Sequence, residues 1–350
     1  MIKALAALVL LTSPLAAQLR PVSTFSIVAR DSATGQIGVA VQSHWFSVGQ
    51  VVPWAEAGVG AVATQSFVDP SYGKLGLDLM RAGKSAPDAL RALLSGDAAC
   101  QVRQVGMIDA KGDVATFTGS RDIVAAGGAA GNQAAPADVK CGAGGGSLLV
   151  GRDFAVQANL MENERVWPAM AKAFGEKSGD LADRMLAALD AAQSVGGDIR
   201  GKQSAALVVV ARTGTGRSWQ DRIFDVRVDD HPEPLAELRR LVAVHRAYNH
   251  MNAGDLAVER GDHALALREY STAEGIAATT PGIPRSRQAE MVYWHAVALV
   301  NMRRVDEAIP LFARAFELEP SWRELTGRLP RSGLLPDDAK LIERIRAAKR

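Results

Sequence analysis

At 350 residues, 48% of them apolar and 22% charged, the chain has the composition of a folded globular protein with room for more than one core. A formal net charge of +2 argues against nucleic acid or an anionic membrane surface as partner.

The first segment, MIKALAALVLLTSPLAAQ, has the layout of an export signal: Lys3 on a short flank, an apolar stretch from Ala4 to Leu11, and small residues up to Ala17. Cleavage is expected after Ala17, leaving 18–23 as a short extension or propeptide ahead of a domain over 24–233. Eight apolar residues are too few to span a bilayer, and no later stretch is long enough. The expectation is an exported protein, periplasmic or secreted, with no membrane span.

Alternating or wholly apolar runs predict strands over 24–31, 36–43, 58–66, 102–109, 113–118, 154–161, 204–212 and 222–229, many of them separated by turns such as Ala33-Thr34-Gly35. Helical patterns fit 72–82, 86–95, 164–174 and 179–194, so the first domain reads as α+β, sheets covered by helices. Gly127 to Gly146 is almost all Gly and Ala and reads as a long surface loop; with no Gly-Lys-Ser/Thr after it, it is not a phosphate-binding loop. Cys100 and Cys141 allow one intramolecular bridge, and the sequence leaves open whether they meet.

From Pro234 to the end, 234–350, the chain reads as all-α. Ala289 to Pro320 resembles a tetratricopeptide repeat, with Ala296, Leu299, Ala308, Phe312 and Ala315 where two antiparallel helices must pack, and a looser copy runs from Ala247 to Ala278. Two such units rarely stand alone, so they should dock on the first domain, on the helix after Pro234 or on a tail helix over 336–349. They offer a groove to a peptide or protein partner, or serve as an appendage or a homo-oligomer contact.

Among residues with chemistry, Thr24 comes first. It opens a strand, and its hydroxyl would be a nucleophile if its own α-amine were freed to act as base. Ser23 is the fallback if the cut falls after Val22. His44, beside Ser43 at the end of the next strand, and Asn159, whose neutral amide can donate to an oxyanion, complete the candidate catalytic set. In Gly196 to Ser204, Asp198 and Arg200 can lock a loop or hold a carboxylate, while Gln203 and Ser204 can orient the amine; with Ser43 these are the candidate substrate-binding residues. Asp229-Asp230-His231-Pro232 reads as a turn with capping acids rather than a metal site, so neither metal nor cofactor is expected.

Thr24-Phe25-Ser26-Ile27-Val28-Ala29-Arg30-Asp31, then Gly38 to Val41, Pro53-Trp54-Ala55, Gly58 to Gln65, Tyr72-Gly73, Arg103 to Gly106, Phe117-Thr118-Gly119, Gln157-Ala158-Asn159, Gly196 to Ala206 and Arg227 to Pro232 are similar to the bacterial domain-of-unknown-function family 1028. The resemblance covers about 24–245 and implies the four-layer αββα sandwich of N-terminal-nucleophile (Ntn) hydrolases, which cleave amide bonds. Relatives often begin Met-Thr-Phe-Ser, so removing Met exposes the Thr that matches Thr24. This chain departs in two ways. Residues 18–23 would block Thr24 after signal cleavage, and a Gly/Ala-rich run stands after Gly119 where relatives carry a Trp-Ala-Gly-His-like stretch. The reading is an exported amidohydrolase for an unidentified amide, small molecule or peptide. The alternatives are a non-catalytic binding scaffold and a cell-envelope assembly factor.

Overall fold

A computed structural model describes residues 22–130, 141–142, 146–149 and 152–349, so the expected signal segment lies outside the described residues. Strands β1 (Thr24–Arg30) and β2 (Ile37–Ser43) form a hairpin closed by the Asp31 side chain, which accepts from the amides of Ala33 and Thr34. They are followed by β3 (Pro53–Glu56) and β4 (Gly60–Ser66). Helices α1 (Ser71–Arg81) and α2 (Ala86–Gly96) come next, α2 capped by Ser85, which accepts from the Asp88 amide. After them lie β5 (Arg103–Asp109), β6 (Val114–Thr118), β7 (Gly127–Ala130), β8 (Gly146–Leu149) and β9 (Phe154–Asn159). Then come α3 (Val166–Glu176), α4 (Leu181–Ser194), β10 (Ser204–Val210), the single turn α5 (Ser218–Asp221) and β11 (Arg222–Val228).

Among the described residues the strands make two sheets, β11-β10-β2-β1-β9-β7-β8 and β3-β4-β5-β6. Period-2 alternation sorts the side chains of the larger sheet. Phe25, Ile27 and Ala29 of β1 join Met170, Phe174, Met185 and Leu189 of α3 and α4 on one face. Val28, Val39, Val41, Ala155 and Val208 join Ala61, Ala63 and Ile108 of the smaller sheet on the other. The outer face of the smaller sheet is covered by α1 and α2 through Val62, Tyr72, Leu90, Val105 and Phe117. The protein is therefore α+β, with a helix pair on the outer face of each of two sheets that pack face to face.

The Gly/Ala-rich run corrects one expectation. Gly127 to Ala130 and Gly146 to Leu149 are strands, paired in parallel with each other, and β7 is also antiparallel to β9. A run without large side chains gives no hydrophobic pattern, yet the small residues are what let β7 fit: a Cβ on Gly128 would stand 2.8 Å from the Val156 carbonyl and 2.9 Å from Thr116 Oγ1. Residues 131–140 of that run lie outside the described residues. Cys100 and Cys141 are joined in a disulfide, their Cα atoms 5.5 Å apart.

The C-terminal part is helical. It contains α6 (Pro234–Glu259), α7 (His263–Thr279), α8 (Arg285–Asn301), α9 (Val305–Leu318), the short α10 (Ser321–Thr326) and α11 (Ala339–Arg346). Two helix pairs, α6 with α7 and α8 with α9, pack side by side. Gly254 lets α7 approach: a Cβ there would stand 2.8 Å from the Tyr270 ring. Ala296, Leu299, Ala308, Phe312 and Ala315 share one core with Ile345 and Ala348 of the tail. Helix α6 serves two cores. Leu235, Leu238 and Val242 belong to the sheet-and-helix core, whereas Ala247, Met251 and Ala257 pack with α7 and α8. No helix among the described residues is long and apolar enough to cross a membrane.

Candidate active site

Register brings the candidate residues into line. Across four neighbouring strands, Ser204 of β10 stands beside Ser43 of β2, Ser43 beside Thr24 of β1, and Thr24 beside Asn159 of β9. Thr24 shares its strand face with Ser26 and Val28, so this row of four polar residues looks toward the smaller sheet. The opposite sheet answers with a row of its own, Gln65, Gln104 and Thr118, again paired strand to strand. Thus the apolar layer between the sheets turns polar at one end.

Every polar group in that end needs a partner, because its residues are buried. Gln65 Nε2 donates to the Thr24 carbonyl (3.0 Å) and to Gln104 Oε1 (2.7 Å), and Gln65 Oε1 accepts from Ser26 Oγ (2.6 Å). Gln104 Nε2 donates to the Ala158 carbonyl (2.8 Å) and Thr118 Oγ1 (2.9 Å), and its Oε1 also accepts from Asn159 Nδ2 (2.9 Å). Gln157 Nε2 donates to Ser26 Oγ at 2.9 Å. Gly106 makes room for Gln157, since a Cβ there would lie 2.1 Å from Gln157 Oε1.

Thr24 is wholly buried beneath Val22 and Ser23, which are buried as well. Its Oγ1 lies 2.9 Å from the Val22 carbonyl and 3.2 Å from Ser43 Oγ. The Ser23 carbonyl, the acyl half of the Ser23–Thr24 peptide bond, accepts from Ser43 Oγ and from Arg200 Nη2 (3.2 Å). Arg200 is held by the fully buried Asp198 carboxylate, which takes Nη2 at 2.9 Å, Nε at 3.2 Å and the Arg200 amide at 2.9 Å. Gly196, Gly197 and Gly201, all at positive φ, let the loop fold back so that Arg200 reaches across. Val22 exchanges backbone hydrogen bonds with Ser66, at 2.6 and 3.0 Å, which ties the chain ahead of Thr24 to the edge of β4.

The remaining candidates are placed otherwise. Ser23 Oγ is turned to the carbonyls of Asn159 (2.9 Å) and Leu160 (3.3 Å). His44 meets Asp198 through its backbone amide (3.0 Å), and among the described residues its buried Nδ1 has no hydrogen-bond partner. Asn159 spends its side-chain amide on Gln104, not on the Ser23 carbonyl. Gln203 turns to Asp230 (3.1 Å), and Ser204 holds the following turn by donating to the Trp45 carbonyl and accepting from the Val48 amide (3.1 Å). Among the described residues no three His, Cys, Asp or Glu side chains are grouped to hold a metal, and Asp229 accepts from Ser47 Oγ at 2.6 Å.

Asp122 was not among the sequence-derived candidates. Its carboxylate accepts from Ser66 Oγ (2.6 Å) and the Gly119 amide (3.1 Å), and burial pushes its pKa up to about 7 against the pull of those hydrogen bonds and of Arg103. Gln65 and Gln104 had a signal of their own: each interrupts a strand that is otherwise apolar or glycine on its inward face.

Fold and site define an α+β protein with two face-to-face sheets and a hydroxyl-bearing, amide-rich cluster at one end between them. The chain matches the family of unknown function DUF1028 over residues 24–139 and 128–238, and it belongs to that family. A solved structure with the same fold is that of protein SPO2555 from Silicibacter pomeroyi, itself titled DUF1028: it is 28% identical, with a TM-score of 0.52, and the match covers 63% of this chain and 84% of that one. No curated protein matches.

Proposed function

We propose that the protein is an exported Ntn-type amidohydrolase, with Thr24 as nucleophile once the Ser23–Thr24 bond is cut, and that its tetratricopeptide-like helices over 234–350 recruit a protein partner. The observation that carries this reading is the treatment of one peptide bond. Its carbonyl oxygen receives a hydroxyl and a guanidinium, the pair of donors an oxyanion would need, while the adjacent Thr24 hydroxyl lies in hydrogen-bond contact with the same Ser43. The cut is an acyl shift. Thr24 Oγ1 bonds to the Ser23 carbonyl carbon, the C–N bond breaks, and the hydroxyl proton passes to the departing Thr24 nitrogen. Water then splits the ester, releasing the Ser23 carboxylate and restoring the Thr24 hydroxyl beside a free amine. That amine titrates near pH ~8 and can serve as base in later turnovers. The disulfide supports an oxidising compartment and therefore export.

The test is intact mass and N-terminal sequencing of the purified protein. A chain starting at Thr24 is expected, with Thr24→Ala keeping the preceding residues and Thr24→Ser still cut. A fully intact wild-type chain that remains folded would instead favour the binding-scaffold reading, which the complete burial and β-pairing of Val22 support.

A further inference from the structure

Val22 and Ser23 are held as a bound peptide is held. Val22 pairs through its backbone N–H and C=O with Ser66, the way an extended ligand adds to a strand edge, and its side chain is buried in the apolar cluster between the sheets. The Ser23 carbonyl faces Ser43 and Arg200. The Ser23 side chain enters a small recess where two carbonyl oxygens converge on its hydroxyl, those of Asn159 and Leu160. Leu160 adopts φ 57°, a conformation unusual for a branched residue, and it also holds its carbonyl toward the Ile199 amide at 3.3 Å. A recess lined by acceptors rewards a donor and penalises an apolar group, which withdraws that donor from the Asn159 carbonyl, or an anionic one, which both carbonyls repel.

Resting on the reading of Thr24 as the matured nucleophile, we propose that this chain's own residues 22–23 mark its substrate class: amides of extended peptides with an aliphatic residue followed by serine on the acyl side of the cut. The leaving amine faces the freed Thr24. In turnover Thr24 Oγ1 bonds to the acyl carbon, its proton passes through the Thr24 amine to the departing amine, and water then releases the peptide carboxylate. Ser66 pairs the peptide backbone, the apolar cluster between the sheets that holds Val22 takes the aliphatic side chain, and the Asn159 and Leu160 carbonyls select the serine hydroxyl.

The experiment uses protein matured at Thr24 and three probes, the p-nitroanilides of acetyl-Val-Ser, acetyl-Val-Ala and acetyl-Val-Leu. The expected order of kcat/KM is Ser above Ala by about tenfold, the worth of one buried hydrogen bond, and above Leu by about a hundredfold or more. Calorimetry with the product-type acids acetyl-Val-Ser and acetyl-Val-Leu reads the same preference without turnover. A matured protein that accepts Leu as well as Ser in both assays overturns the subsite alone. Binding of acetyl-Val-Ser over acetyl-Val-Leu with no turnover of any anilide supports the subsite and overturns the hydrolase reading. A chain that keeps residues 22–23 attached overturns both.

Discussion

Asp122 bridges the end of β4 at Ser66 and the turn at Gly119, the two segments that flank Arg103 of β5. Its folded pKa, about 7, lies above the ordinary carboxyl value, so the folded chain holds a proton that the unfolded chain has lost. The sign follows: this contribution to stability is full below about pH 4 and declines as the pH rises through about 7. Asp122→Asn should flatten the loss. In thermal melts the wild type is expected to lose roughly 2–4 kcal/mol more than the variant between pH 4 and pH 8; equal losses would remove Asp122 as the cause. Gln65 makes a second prediction. Leu in its place leaves the Thr24 carbonyl, Ser26 Oγ and Gln104 Oε1 each short of a partner, so urea unfolding of Gln65→Leu should show a loss of about 2–4 kcal/mol. At this scale the sequence named Thr24, Ser43, Asp198 and Arg200 as candidates, Thr24 on its resemblance to the family, and the structure gathers them around the Ser23 carbonyl. It did not assign partners. Gln203 and His44 carry the right chemistry, yet the direction of a side chain at a strand end depends on neighbours far along the chain.

Individual elements were legible where their period was plain. The strands observed at Thr24–Arg30, Ile37–Ser43 and Ser204–Val210 and the helices at Ser71–Arg81 and Leu181–Ser194 all begin and end within about two residues of the expected spans. Strand β3 was missed because four residues opening on a proline carry no clear alternation, and a proline at the first position suits a sheet edge. Strand β5 depends on a missing side chain. Gly106→Ala drives a methyl into Gln157, so Gln157 must leave its partners or β5 must shift from β9. A loss of about 2–3 kcal/mol is expected in urea, and an unchanged midpoint would mean that the sheets separate easily there. The disulfide fastens the start of β5 to the segment ahead of β8 and closes a loop across a sequence separation of 41. Cys141→Ser, or reductant, should lower stability by roughly 2–4 kcal/mol; the same melting temperature with and without reductant would contradict this.

At the scale of the molecule, α6 is 26 residues long, about 39 Å, and belongs to both halves. Sequence reading put a boundary at Pro234 because the composition turns helical there, but periodicity says nothing of what a helix packs against. Leu235, Leu238 and Val242 cover β10 and β11. A chain ended at residue 233 should therefore aggregate or melt early, while one ended near 246 should keep the sheet core; equal behaviour of the two would show that α6 is dispensable to it. The position of β1 has a consequence in time. It is made first, yet its outer partner and the contacts of Ser23 come from Asn159, a sequence separation of 136. At ~5–20 residues per second, synthesis needs roughly 7–27 s to supply them, and longer still to supply Arg200. Through that interval Thr24 has neither Asn159 beside it nor its guanidinium. Under the proposed self-cleavage, the bond before it would be safe while the chain is being made, and the clock for its cleavage would start only when the last strands close over it.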